Sequence, residues 1–236
     1  MRWSLCALFC LLPLAVSCAS DPVERVAAAR VAAEERLGDE LQAVGLGFGA
    51  PVFLRAFKRE GEMELWLRQP EDGPWVLLKT YPICAWSGEL GPKLAEGDGQ
   101  TPEGVYQVSA SALNPASRFH LSFNLGFPNA FDRANGRTGS FLMVHGSCVS
   151  IGCYAMTDPA IEEIYSLVDA ALSAGQGTVP VHLFPFRLED DALKAEADSP
   201  WQAFWSDQLQ PIYQAFEQDR MVPKVCVRDG AYRVCN

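Results

Sequence analysis

Histidine is scarce in this chain: His120, His145 and His182 are the only three among 236 residues. With so few, there is no second short Cys/His pair from which the usual paired zinc knuckles could be built. Basic residues are also few, 19 against 29 acidic ones, for a formal net charge of −10. That balance excludes nucleic acid or an anionic membrane surface as the main partner. Beyond the first residues no apolar run is long enough to span a bilayer. There is no internal repeat, no low-complexity tract and no linker. Hydrophobic residues make up 49% of the chain, enough for a sizeable core and too many for global disorder.

The N-terminus carries a targeting signal. Met1 and Arg2 give a positive start, Leu5 to Val16 is an apolar run too short to cross a membrane, and small residues follow. Residues 1–19 are therefore set aside as a signal peptide. Ala15 to Cys18, "AVSC", resembles a bacterial lipobox with Cys18 as the lipidated residue, although Ala15 stands where Leu is usual. Ordinary cleavage after Ala19 is the alternative. Export sets the cysteine arithmetic: Cys6 and Cys10 leave with the signal, and Cys18 is lipidated or lost. Cys84, Cys148, Cys153, Cys226 and Cys235 remain, an odd set for an oxidising compartment.

Residues 21–42 read as a helix, capped by Asp21 with Pro22 in the first turn, and serve as an exposed spacer. From residue 51 the period shortens. "PVFLRAF", "EMELWLR" and "WVLLKTY" alternate with turn signals and predict an antiparallel meander. Two Gly- and Pro-rich loops, Ser87 to Gly104 and Asn124 to Gly139, surround further strands predicted at Val105–Ser109, Phe119–Phe123 and Ser140–His145. Asp158 and Pro159 open a helix whose apolar face is Ile161, Ile164, Tyr165, Val168 and Leu172, with Gly175 at its end. Val179 to Phe186 predicts a buried strand. A second late helix spans 199–219, with Pro211 expected to kink or break it. The chain closes on a hairpin turning at Asp229-Gly230, flanked by Cys226 and Cys235. The fold class is α+β, strands mostly early and helices mostly late.

His120 and His182 sit in strand-like apolar surroundings, as hydrogen-bonded structural histidines would. His145 ends a strand and is followed by glycine, so it enters a loop, "HGSCVSIGCYAMT". Three readings compete for that loop. His145, Cys148 and Cys153 could bind zinc with Cys84 as a fourth ligand. Both cysteines could be structural disulfide partners. Or Cys153 could be a nucleophile activated by a nearby imidazole, with Gly152 allowing close approach and backbone N–H groups at Gly152 and Cys153 facing a developing oxyanion. Pairing Cys226 with Cys235 and Cys84 with Cys148 leaves Cys153 as the free thiol.

The loop, together with "KLAEGDGQTPEG" from Lys93 to Gly104, resembles the YkuD-type L,D-transpeptidase catalytic domain. "YPICAWSGELGPK" and "NPASRFHLSFNLGFPNAFDRANGRTGS" are similar to its YafK-like subgroup. The resemblance spans roughly residues 50–190. It implies a β-sandwich-like domain preceded by an N-terminal helix at 20–49 and followed by a helical extension with a hairpin at 191–236. It further implies a cofactor-free cysteine acyltransferase of the bacterial envelope, acting on peptidoglycan stem peptides at the L-centre carbonyl of meso-diaminopimelate. Cys153 matches the nucleophile, His145 the general base, Gly152 and Cys153 the oxyanion region, and Ser150 the small polar residue before the Gly-Cys pair. The YafK-like subgroup adds a further partner, an outer-membrane lipoprotein released from peptidoglycan.

Two positions depart from the family pattern. Ile151 stands where a second histidine is usual, and Tyr154-Ala155-Met156 where an arginine is usual. Arg137, Arg118, Arg133 and Lys93 are the candidate replacements for a carboxylate clamp, with Tyr154 a further candidate substrate contact. The rival from another class is a non-enzymatic peptidoglycan-binding lipoprotein whose loop is locked by zinc or a disulfide, in contact with the membrane only through its N-terminal anchor.

Overall fold

The computed structural model describes residues 21–235. The expected signal peptide and Cys18 lie outside the described residues. Helix α1 spans Pro22–Val44. The Asp21 carboxylate accepts the Val23 N–H at 2.8 Å, and Gly45, at φ 68°, ends the helix by returning its N–H to Leu41 and Gln42 carbonyls. The expected exposed spacer is corrected here. Ala29, Ala33, Leu37 and Leu41, spaced four apart, are buried. Small alanines let this face sit close to the helix α3 (Asp158–Ser173), where Arg36 pairs with Glu162 and Glu163 at 2.8 and 2.7 Å.

The meander forms as β1 (Val52–Phe57), β2 (Glu62–Arg68) and β3 (Trp75–Pro82). With β4 (Gly104–Val108) and β9 (Val179–Phe184) it makes a five-stranded sheet in the order β3-β2-β1-β9-β4. Only the β1–β9 pair is parallel. A smaller sheet, β5-β6-β7-β8, comprises Leu113–Asn114, Ser122–Asn124, Met143–His145 and Tyr154–Ala155. Between β6 and β7 lies the short α2, Ala130–Ala134. The main core cluster takes residues from both sheets, α1 and α3, including Val52, Leu54, Phe123, Val144, Ile161 and Val181. The strand expected at Phe119–Phe123 starts later, at Ser122, because the chain turns through His120 at φ 66°.

Strand β1 is buried on both faces. Val52, Leu54 and Ala56 face the main core; Phe53 and Phe57 join the other two clusters. That second face is covered by the C-terminal segment: α4 (Asp190–Ala195), α5 (Gln202–Phe204), one π-turn at Trp205–Leu209, α6 (Gln210–Asp219) and the hairpin β10 (Val225–Arg228) and β11 (Ala231–Val234). Trp205, Ile212, Tyr213 and Tyr232 pack with Phe57 and Phe184, and Phe216 with Phe53 and Trp66. The helix expected over 199–219 is interrupted at Pro211 as the sequence predicts, into α5, the π-turn and α6. Pro211 stands in the first turn of α6, and the π-turn just before absorbs the hydrogen bond a proline cannot donate.

Ionic groups buried under this cover are paired. Arg55 bonds Glu64 at 2.6 Å and Glu217 at 2.6 Å, and Lys58 bonds Glu103 at 3.1 Å with both side chains fully enclosed. Glu103 also accepts from the Trp205 indole at 2.8 Å and the Gly91 N–H at 2.7 Å, so it ties the long loop after β3 to the C-terminal segment.

Candidate active site

The small sheet positions the site. β7 ends on His145, which pairs with Ser122 of β6 on one side and Ala155 of β8 on the other. Because β8 runs parallel to β7, the chain leaves at His145, loops through residues 146–153 and returns beside the strand it left. The first loop residue has to be glycine. A Cβ on Gly146 would lie 2.6 Å from an Asp158 oxygen and 3.0 Å from the Phe119 carbonyl. Asp158 was the expected cap of α3. Thr157 is the cap, its hydroxyl accepting the Ala160 N–H, while the Asp158 carboxylate takes the Ser147 N–H at 2.7 Å and so holds the loop. Ser147 and Cys148 follow at φ 67° and 52°, left-handed positions that cost non-glycine residues energy. A disulfide from Cys148 to Cys84 anchors this stretch, and the Cys84 N–H reaches the Ala155 carbonyl at 2.9 Å. A second disulfide joins Cys226 and Cys235. Cys153 is the free cysteine among the described residues. The zinc reading therefore fails on chemistry, since two of its four ligands are consumed in a disulfide.

His145 is buried and its ring lies 4.7 Å from that of Phe119, tilted by 34°. Its Nδ1 is 2.6 Å from the Gly146 carbonyl oxygen. A carbonyl can only accept, so Nδ1 carries the proton and Nε2 is left with its lone pair, the tautomer a general base needs. Burial lowers the His145 pKa, with the Gly146 bond opposing. Burial raises that of Cys153, opposed by a backbone hydrogen bond with Met143 and by the charge of Lys93. Both shifts favour the neutral form. At neutral pH these shifts leave a thiol and a neutral imidazole. The thiol donates to the Phe141 carbonyl at 3.6 Å.

The backbone around Cys153 is gripped by hydroxyls. Ser150 Oγ donates to the Cys153 carbonyl at 2.7 Å, and Thr101 Oγ1 does so at 3.3 Å. The Gly152 N–H donates to Ser87 Oγ at 2.6 Å and to Ser150 Oγ at 3.2 Å. The sequence expectation that Gly152 supplies an oxyanion donor is thus corrected for this conformation: that N–H is already bonded. The Cys153 N–H has no hydrogen-bond partner among the described residues. Ser87 and Thr101 were missed by sequence reasoning. Both stand inside the quoted motifs, but nothing local in the sequence signals a contact spanning 65 residues.

The candidate clamp residues separate clearly. Arg137 is buried, bonded to Asp132 at 3.0 Å and packed over Phe131 and Phe204, so its guanidinium is a structural group and not an open clamp. Tyr154 is fully buried with its hydroxyl on the Pro102 carbonyl at 2.9 Å, out of reach of a substrate. Lys93 is buried and paired with Asp98, whose carboxylate is held down to about 2 by backbone N–H groups and Lys93 against a desolvation penalty. Its charge nevertheless acts on Cys153. Arg133 is exposed and lines a groove between β4, α2 and the hairpin. Arg118 is exposed beside Phe119 and makes no ion pair among the described residues. Ile151 is 90% exposed, so the residue replacing the usual histidine packs on nothing. Of the other two histidines, His120 bonds Glu162 at 2.8 Å. His182 meets Phe53 edge-on with its Nδ1 unbonded, not hydrogen-bonded as the sequence predicts.

The free thiol thus lies beside the strand that ends on His145, on a two-sheet α+β scaffold. Residues 65–183 match the family model described as "L,D-transpeptidase catalytic domain", YkuD, and the chain belongs to that family. It is 47% identical over 186 residues to the Escherichia coli protein named "Putative L,D-transpeptidase YafK", covering 79% of this chain and 74% of that one. Among solved structures it is similar to the helical cell shape determining protein Pgp2 from Campylobacter jejuni, with 16% identity, a TM-score of 0.46 and coverage of 81% and 80% of the two chains. Bd1075 from Bdellovibrio bacteriovorus is similar at 24% identity and a TM-score of 0.40, covering 71% and 62%. Among the described residues no helix is long and apolar enough to cross a membrane.

Proposed function

We propose that this protein is a cysteine acyltransferase of the bacterial envelope acting on peptidoglycan at the L-centre carbonyl of meso-diaminopimelate. The observation that carries the reading is the bond from His145 Nδ1 to the Gly146 carbonyl, which leaves Nε2 as a base in the same loop as the free thiol of Cys153. Cys153 Sγ attacks the carbonyl carbon while His145 Nε2 takes the thiol proton. The tetrahedral intermediate collapses to a thioester, and the imidazolium returns the proton to the leaving amine. Water or a second amine then attacks the thioester and regenerates the thiol. Where the leaving amine belongs to a covalently attached lipoprotein, forming the thioester frees it and water completes a hydrolysis; an amine acceptor makes a new linkage. Arg118 is the cation we assign to the substrate carboxylates, since it is exposed and directly precedes Phe119, whose ring lies 4.7 Å from that of His145. Residues 50–190 form the catalytic unit and 191–236 a brace over its sheet. An N-terminal signal cleaved before Cys18, with Cys18 then lipidated, accounts for a periplasmic location of the unit.

Incubation with lipoprotein-bearing sacculi, and separately with tetrapeptide muropeptides, tests the reading. Released lipoprotein without new crosslinks assigns hydrolysis, and new crosslinks assign transpeptidation. No product from either substrate, with the Cys153 thiol shown intact, would return the protein to the class of non-enzymatic binders.

A further inference from the structure

We propose that Ser87 and Thr101, from the loop after β3, are positioning residues that orient the Cys153 N–H as the oxyanion donor of this site. The inference rests on the acyl-transfer reading above and assigns roles within it.

Peptide groups on either side of Cys153 are fixed by hydroxyls, and the one between them is left with a donor to offer. The Gly152 N–H is bonded to Ser87 Oγ at 2.6 Å, and the Cys153 carbonyl accepts from Ser150 at 2.7 Å and Thr101 at 3.3 Å. The Cys153 N–H, bracketed by these two clamped groups, is unbonded among the described residues. Ser87 and Thr101 are themselves locked together. The Ser87 N–H donates to Thr101 Oγ1 at 3.0 Å and the Thr101 N–H to the Ser87 carbonyl at 3.0 Å, while Ser87 Oγ donates to the Gly99 carbonyl at 2.7 Å. Ser87 Oγ has thus given away its proton and meets Gly152 purely as an acceptor. Gly152 sits at φ 111°, which side chains rarely adopt, and without Ser87 its N–H keeps only the longer bond to Ser150 Oγ at 3.2 Å, a weaker hold against turning. A turned Gly152–Cys153 peptide points its N–H away from the attacked carbonyl. Preorganised donors are worth most when they need no reorganisation during the reaction. Ser150 belongs to the loop itself; Ser87 and Thr101 bring the restraint from a separate part of the chain, which makes it rigid.

The test compares two reactions of the same thiol. Acylation by p-nitrophenyl acetate forms an S–C bond through an oxyanion and expels p-nitrophenolate. Alkylation by iodoacetamide forms an S–C bond by displacement of iodide and develops no oxyanion. A Cys153→Ala control subtracts every other thiol. We expect Ser87→Ala to slow acylation by about tenfold or more while alkylation stays within about twofold of the parent. Thr101→Val, close in shape and unable to accept or donate, gives the same split and stands in if Ser87→Ala does not fold. Equal slowing of both reactions, or no slowing of either, overturns the proposal. Neither outcome depends on peptidoglycan, so inactivity of the parent protein on sacculi would reject the proposed substrate and leave this test standing.

Discussion

The Nδ1 of His145 lies 2.6 Å from the carbonyl oxygen of Gly146, the next residue in the chain. One short-range bond therefore sets the tautomer of the imidazole, without a carboxylate partner. An imidazole buried without a counter-charge is held neutral, and the pH behaviour of the site follows.

Burial lowers the His145 pKa from its ordinary 6.5 and raises that of Cys153 from its ordinary 9.0. A rate that requires neutral His145 rises with pH through a value below 6.5 and is flat across neutrality. Iodoacetamide alkylation of Cys153, which follows the thiolate, continues to rise beyond pH 9. A kcat/KM profile with its acid limb above 6.5, or a thiol that alkylates fully at neutral pH, would contradict the neutral-pair assignment.

Cys153→Ala removes the proposed nucleophile from a half-buried loop position without opening a cavity in the core. Activity on sacculi is expected to vanish with the melting temperature little changed. His145→Ala costs nearly as much activity, because groups acting as a unit are not additive. Turnover retained by Cys153→Ala would end the thioester mechanism.

His182 is enclosed, and burial together with Arg55 pulls its pKa down to about 3 from 6.5. Its folded state excludes a proton that the unfolded chain binds below 6.5. The stability is present in full above 6.5 and is lost as pH falls toward 3. Between pH 7 and 5 this one group withdraws about 2 kcal/mol. Denaturant unfolding of His182→Leu at the two pH values should show a pH dependence smaller by about that amount; an unchanged slope would remove His182 from the account.

Lys58 and Glu103 share a site from which water is excluded. Lys58→Met leaves Glu103 buried without its cation and is expected to cost about 3–5 kcal/mol, while the double substitution with Glu103→Gln recovers a part. Unfolding by urea measures both.

Reduction of the Cys84–Cys148 disulfide frees a loop that contains two left-handed residues. A loss of about 2–4 kcal/mol is expected. Cys148→Ser should reduce acylation of Cys153 even at temperatures where the protein stays folded, which paired melting and p-nitrophenyl acetate measurements would reveal.

What the sequence by itself determined was local. The 3.6-residue apolar period of α3, the short apolar runs of β1 to β3 between their turn signals and the Asp229-Gly230 turn specify their elements because each is satisfied by hydrogen bonds and faces within a few residues. The loop from His145 to Cys153 was legible for a similar reason: its glycines and reactive side chains are close in the chain. Tertiary structure decided the rest. The alanine face of α1 found α3, the π-turn made room for Pro211, and Arg137 and Tyr154 were drawn inward to partners on other segments. Ser87 met Gly152 across 65 residues. A side chain's type states which bonds it can make, but which partner it meets is fixed only when distant segments exclude water around it, and that depends on the whole fold.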